Sequence, residues 1–242
     1  MQKKRKLIII FTSVLLITAL LVGVCGTYLG DYYKSDTEAI SAFLPQYSTW
    51  KEEPDNTIVF EPESPVAGFI FYPGGKVEHR AYIPLMQALS ERGVLCILLK
   101  MPFNLAVFDI NAANGIQSEY TDITDWYIGG HSLGGSMAAS YLGTHTDEYK
   151  GLILLGSYST TDLSDSSIDA LCIFGSEDKV MNMESYTECK TNLPENFTEI
   201  QIPGGCHAYF GMYGFQDGDG TPAIANEEQI NLTAEYIVEF IK

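Results

Sequence analysis

The sequence predicts an α/β fold in which helices flank a mostly parallel sheet. Apolar strand-like runs alternate with helical patterns, which is the order that builds a parallel sheet. Several of these runs contain no polar residue, as is typical of strands covered on both faces. We expect strands at residues 57–60, 67–72, 94–99, 126–128, 151–155, 170–174 and 197–202, and helices at 36–44, 82–92, 132–143, 181–190 and 227–241.

A hydrophobic segment precedes this domain. Four basic residues at positions 3–6 are followed by an uncharged run of 23 residues, from Leu7 to Leu29. As a helix the run is about 35 Å long, enough to cross a bilayer core, whereas the apolar region of a signal peptide is about 7–15 residues. We therefore expect residues 1–30 to form a transmembrane anchor, with a cleaved signal peptide as the alternative.

The flanking charges predict the orientation of the anchor. Basic residues before it and acidic residues after it favour a cytoplasmic N-terminus and a domain at 31–242 outside the cell membrane, or a secreted domain if the segment is cleaved. From position 31 onward the chain has 10 basic and 31 acidic residues, a net charge of −21. Such a charge excludes nucleic acid as an expected partner.

The chain contains the motif G-x-S-x-G, as Gly130-His131-Ser132-Leu133-Gly134. An apolar run precedes it, and small, helix-compatible residues follow it. Strand, sharp turn and helix form the context that a nucleophile elbow requires, which makes a chance match the weaker interpretation. Ser132 is therefore the predicted nucleophile.

A serine nucleophile needs a base, and the base needs a carboxylate to orient it. In this arrangement the chain order is serine, acid, histidine. Glu177 and Asp178 follow a strand-like run and a glycine; we prefer Asp178 and keep Glu177 as the alternative. Of the four histidines, His207 alone follows both the serine and the acid, so it is the predicted base. His131, inside the elbow, is expected to point elsewhere.

An oxyanion site needs two backbone N–H groups. Leu133, directly after the serine, is expected to supply one, and Gly75 or Lys76 the other, from the glycine-containing turn after the strand at 67–72. An ordinary tight turn is the alternative for that loop. Only 46 positions separate Ser132 from Asp178, which leaves no room for a large lid; the site is expected to be open or covered only by residues 101–120.

Two other features, a pair of cysteines and an acidic glycine-containing run, are weaker indications of a site. Cys189 and Cys206 stand in polar contexts, and a disulfide between them is left open. The run Asp217-Gly218-Asp219-Gly220 resembles the start of a calcium-binding loop. It lacks the further spaced ligands of such a loop, so a plain turn is expected. No metal and no cofactor is predicted, and no substrate-binding residue is assigned.

At these residues the chain resembles the α/β-hydrolase superfamily, and more narrowly the bacterial α/β-hydrolase family 5 group. The segments that carry the resemblance are 71–77, 101–106, 130–135, 204–208 and 214–220. The resemblance implies an α/β-hydrolase fold over 31–242, with Ser132 as nucleophile, Asp178 as acid and His207 as base. Cys206 departs from relatives that carry asparagine beside the histidine. Dienelactone-hydrolase-like relatives have a cysteine nucleophile, and this chain has serine.

These observations favour a membrane-anchored serine hydrolase that cleaves small carboxylic esters through an acyl-enzyme. The expected partners are the ester substrate and, through the N-terminal helix, the lipid bilayer. Acyl transfer or amide cleavage on the same triad is the first alternative, because fold does not decide the reaction. A non-catalytic, tethered binding module on a hydrolase scaffold is the second alternative.

Overall fold

The computed structural model describes residues 2–45, 48 and 50–241, which form two compact units, Met1–Tyr32 and Tyr33–Lys242. The first unit contains helix α1 (Gln2–Gly30). Its stretch Lys4–Gly30 is long and apolar enough to cross a membrane, a property that signal sequences share. The predicted helix is therefore present, while the anchor, its orientation and the division at residue 30 remain predictions.

The second unit contains an eight-stranded sheet. Its strands are β1 (Lys51–Glu52), β2 (Ile58–Phe60), β3 (Ala67–Tyr72), β4 (Val94–Leu98), β5 (Trp126–His131), β6 (Gly151–Leu155), β7 (Asp169–Gly175) and β8 (Phe197–Ile202). The order across the sheet is β1-β2-β4-β3-β5-β6-β7-β8. Strands β3 to β8 are parallel, and β1 and β2 are antiparallel to their neighbours. The predicted α/β fold is confirmed; the short, exposed β1 was not predicted, because two residues carry no alternation.

Helices cover both faces of the sheet. They are α2 (Thr37–Phe43), α3 (Ile83–Ser90), α4 (Leu133–Leu142), α5 (Met183–Cys189) and α6 (Asn226–Ile241). Buried side chains of α2, α3 and α6 belong to one apolar cluster, and those of α4 and α5 belong to a second cluster on the other face. Asp36 caps α2, since its Oδ1 accepts the Ala39 N–H at 3.0 Å.

The parallel strands bring the predicted site residues to one edge of the sheet. The carboxyl ends of β3, β5, β7 and β8 are followed by the glycine turn, the elbow, the acid and the histidine respectively, and such ends lie together in a parallel sheet. Short 3-10 turns make up the segment after β4, at Pro102–Asn104, Ala106–Phe108 and Ile116–Glu119. Over the described part of the chain, no lid domain is inserted between β5 and the acid.

Candidate active site

Ser132 occupies a strained turn between β5 and α4. Its φ of 51° and ψ of −125° are unusual for a residue other than glycine. A Cβ at Gly130 would collide with the carbonyl oxygen of Tyr72, and one at Gly134 would collide with that of Pro73. The two glycines of the motif therefore allow α4 to pack close to β3, so that Ser132 stands at the turn between them.

His207 and Asp178 form a buried pair. The Nδ1 atom of His207 lies 2.8 Å from Oδ2 of Asp178, and both side chains are at most 1% exposed. The other oxygen, Oδ1, accepts the N–H groups of Val180 at 2.9 Å and Met181 at 2.8 Å. With Asp178 ionised, the contact assigns the proton to Nδ1 and leaves Nε2 as an acceptor. Nε2 is buried and has no hydrogen-bond partner among the described residues.

The structure separates the two candidate acids. Glu177 is half-buried, and its Oε1 accepts a hydrogen bond from Ser176 at 3.0 Å. Its N–H donates to the carbonyl of Gly205 at 2.8 Å. Asp178, and not Glu177, is therefore the carboxylate that contacts the histidine.

Ser132 and His207 line one cleft of about 250 Å³. Pockets for drug-sized ligands usually start at about 300 Å³, so this cleft suits a small group. No Ser132–His207 hydrogen bond is present, and such bonds are often long before substrate binds. The remaining lining residues are Leu133, Ser136, Gly156, Ser157, Tyr158, Val180, Met181 and Asn182.

Gly156 is a site residue that the sequence reasoning missed. It follows β6 with a φ of +50°, a conformation that favours glycine. A Cβ there would lie 2.9 Å from Nδ1 of His207 and 3.2 Å from Oδ2 of Asp178. The buried pair thus packs directly over the Cα of this residue. The sequence feature that could have indicated this residue is its position, as a glycine immediately after the apolar run that forms β6.

The turn after β3 leaves one amide available. Gly74 N–H donates to Tyr82 Oη at 3.1 Å, and Lys76 N–H donates to the carbonyl of Asn104 at 2.7 Å. The N–H of Gly75 has no partner in the described chain, and a Cβ there would lie 2.8 Å from Cδ2 of Leu133. We therefore correct the prediction of Lys76 as an oxyanion donor, because its amide is already hydrogen-bonded to Asn104. Gly75 lies beside Leu133, whose N–H begins α4 and has no acceptor within the helix.

The expectation that His131 points away from the site is wrong. Its ring centroid is 4.5 Å from that of His207, and its Nδ1 is 2.8 Å from Tyr82 Oη. Burial, and next the neighbouring His207, lower the pKa of His131 well below its ordinary value. Tyr82 Oη accepts the Gly74 N–H, so its own hydroxyl group is assigned as the donor to Nδ1 of the neutral ring. One buried chain of contacts thus connects the glycine turn to His207.

The backbone beside His207 is held by α6. Cys206 N–H donates to Oε1 of Gln229 at 2.9 Å, and Nε2 of Gln229 donates to the Cys206 carbonyl at 2.8 Å. The Cys206 thiol is buried, which raises its pKa to about 12. Cys189 and Cys206 are both free, so they do not form the disulfide that the sequence analysis left open. Within the described ranges, no three His, Cys, Asp or Glu side chains are grouped to hold a metal ion.

A profile of the alpha/beta hydrolase family matches residues 68–231. Among solved structures, the chain is similar to Est1E from Butyrivibrio proteoclasticus, with 15% identity, a TM-score of 0.58 and coverage of 80% of this chain and 98% of that one. Dienelactone hydrolase from Anabaena variabilis has 13% identity and a TM-score of 0.56, covering 80% and 96%. The esterase domain of a Rhodothermus marinus protein has 13% identity and a TM-score of 0.57, covering 79% and 95%. No curated protein matches the sequence. At these identities the likeness to solved structures concerns the fold.

Proposed function

Because the chain belongs to the alpha/beta hydrolase family, we propose that it is a serine esterase that cleaves small carboxylic esters through an acyl-enzyme. The observation that carries the proposal is the buried His207–Asp178 pair at the cleft that Ser132 also lines. Esterases among the similar structures support the same class of reaction. The small volume of the cleft favours esters with a short acyl group.

The mechanism follows from the contacts of the pair. Nε2 of His207 takes the proton of Ser132 Oγ as that oxygen attacks the ester carbonyl, and Asp178 stabilises the imidazolium through Nδ1–H. The imidazolium then protonates the leaving alkoxide, and the alcohol departs. Water attacks the acyl-serine with the same base, which returns Ser132 and releases the acid.

The oxyanion of each tetrahedral intermediate is held by backbone N–H groups. We assign them to Leu133 and Gly75, since the Lys76 amide is engaged with Asn104. The contact between Gly75 and the Leu133 side chain supports this pairing of donors. The strained turn at Ser132 supports the assignment, since Ser132 and Leu133 line the same cleft.

Helix α1 is proposed to be a membrane anchor for this enzyme. The basic residues at positions 3–6 favour a cytoplasmic N-terminus, and the catalytic unit would then face outward. Fractionation of cells expressing the full chain, followed by protease treatment of intact cells, tests this. An anchored domain sediments with membranes and is cleaved from outside; release of a shortened domain into the medium would support the signal-peptide alternative.

The reaction is tested on the full chain in detergent micelles with p-nitrophenyl esters. Ser132→Ala should abolish turnover and labelling by a fluorophosphonate. The matched control is Ser140→Ala, in the helix that follows Ser132 but outside the cleft lining. Equal rates for wild type and Ser132→Ala would refute the mechanism. Products formed with an added alcohol or amine separate hydrolysis from acyl transfer. Failure of the folded wild type to take the label would favour the binding module.

A further inference from the structure

The Asp217-Gly218-Asp219-Gly220 turn lies against both loops that carry the buried pair. Oδ2 of Asp219 accepts the N–H of Ala208 at 2.8 Å. Its Oδ1 accepts the N–H of Lys179 at 3.3 Å and that of Gly220 at 2.8 Å. A Cβ at Gly220 would collide with the carbonyl oxygen of Glu177, so this turn packs directly on the acid loop.

The two long-range bonds end at positions adjacent to the catalytic pair. Ala208 follows His207, and Lys179 follows Asp178. One carboxylate therefore joins the peptide after the base to the peptide after the acid, using a different oxygen for each. The bond to Ala208, at 2.8 Å, has the length of the stronger, charge-assisted class, while the bond to Lys179, at 3.3 Å, is longer and weaker. Together they oppose separation of the two loops.

We propose that Asp219 is a positioning residue that holds the loop of Asp178 and the loop of His207 in register, a role that rests on the proposed esterase function. The His207–Asp178 contact joins the two loops through side chains, and Asp219 joins them through the backbone. Gln229 fixes the preceding peptide, at Cys206, from the side of α6. The histidine loop is thus held from both sides of the base.

The contacts of Asp219 also account for the acidic, glycine-rich character of the motif without a cation. Its carboxylate already accepts three N–H groups, whereas a calcium ion requires 6–8 oxygen ligands. The glycine at 218 has a φ of +84°, and the turn needs that residue to bring Asp219 back to the loops. Asp217, by contrast, is exposed, and its N–H, rather than its carboxylate, bonds to Tyr33 Oη at 3.1 Å.

The test compares Asp219→Asn and Asp219→Ala with Asp217→Asn, a matched change two residues away in the same turn. Each variant of the full chain is assayed on a p-nitrophenyl ester, and active sites are counted by exhaustive fluorophosphonate labelling. A displacement of the base by about 1 Å costs about 100-fold in rate. We expect kcat per labelled site to fall by about 10- to 100-fold in Asp219→Asn and further in Asp219→Ala, because asparagine keeps one acceptor oxygen. KM should change by less than about twofold, and Asp217→Asn should match wild type.

Normalising to labelled sites keeps the test informative if a variant folds poorly. A purely structural role lowers the number of active sites and leaves kcat per site unchanged, which would overturn the proposal. Equal kcat per site in Asp219→Asn and Asp217→Asn would do so as well. If the folded wild type neither hydrolyses esters nor takes the label, the proposed function fails, and the positioning role fails with it. If the wild type is active and the Asp219 variants are unaffected, the proposed esterase function is retained and only the positioning role of Asp219 is refuted.

Discussion

Replacing Asp178 by asparagine exchanges one oxygen for an NH₂ group and changes little else. The structure determines where that group must point. The N–H groups of Val180 and Met181 both donate to Oδ1, so the remaining carbonyl oxygen of the asparagine stays with them. The NH₂ group then faces Nδ1 of His207, where Oδ2 stands in the wild type. Two donors cannot share that contact, so the histidine must carry its proton on Nε2.

The tautomer determines the size of the effect. A proton on Nε2 removes the acceptor that takes the serine proton, and this wrong tautomer lowers kcat by about 10⁴-fold in enzymes with such a triad. At about 1.36 kcal/mol per tenfold, the loss corresponds to about 5.4 kcal/mol of transition-state stabilisation. Packing changes little because the two side chains have the same shape. We therefore expect the Tm to move far less than kcat.

The assay is the hydrolysis of a p-nitrophenyl ester by the full chain, with Glu177→Gln as the matched control. Glu177 is adjacent, undergoes the same chemical change, and contacts Ser176 rather than the histidine. Asp178→Asn should lower kcat about 10⁴-fold, and Glu177→Gln should stay within about threefold of wild type. A large loss in Glu177→Gln together with near-normal activity in Asp178→Asn would refute the assignment of the acid.

Three further results are expected. Gly156→Ala should lower kcat by at least about 100-fold, because its Cβ would lie 2.9 Å from Nδ1 of His207; activity within about twofold of wild type would contradict this. Along a series of p-nitrophenyl esters, kcat/KM should fall as the acyl chain lengthens, since the cleft holds about 250 Å³, and a steady rise with length would contradict the small-acyl preference. Burial, followed by Lys100 and Arg80, lowers the pKa of His79 from 6.5 to about 4. The folded state therefore keeps this ring neutral down to about pH 4, whereas the unfolded chain binds a proton below about pH 6.5, so the free energy of unfolding declines as the pH falls through this range. His79→Gln should flatten the decline of Tm over that range, and parallel Tm curves would contradict it.

The parts of the site that the sequence predicts are those encoded by neighbouring residues. Ser132 is recognised because the glycines that permit its turn are two positions away on either side. Asp178 is recognised, with Glu177 as its alternative, because a strand and a glycine are followed within three residues by two acids. The strands are recognised because burial on both faces requires unbroken apolar runs, and those runs match β3 and β6 at both ends.

The parts that the sequence does not predict depend on contacts between distant segments. Gly156 matters because His207 packs on it, 51 positions later in the chain. The orientation of His131 depends on Tyr82, 49 positions earlier, which offers its hydroxyl to the ring. Lys76 and Gly75 are equivalent by position, and only the carbonyl of Asn104, on another loop, distinguishes their amides. Such pairings follow from register and loop packing, which local patterns do not encode.

Backbone strain at the carboxyl edge of the sheet connects the turn after β3 to Ser132. Five residues other than glycine have positive φ in the described chain, and four of them, Lys76, Phe103, Asn104 and Ser132, follow β3, β4 or β5. Each such conformation costs about 1–3 kcal/mol and persists only where neighbours enforce it. The bond from Lys76 N–H to the Asn104 carbonyl joins two strained residues and removes the Lys76 amide from the cleft. The amide of Gly75 then remains unpaired beside Leu133, the residue that follows the strained serine. The strain on the two loops therefore has one common result: the free Gly75 amide lies beside Leu133, and these are the two residues that the proposed mechanism uses as donors.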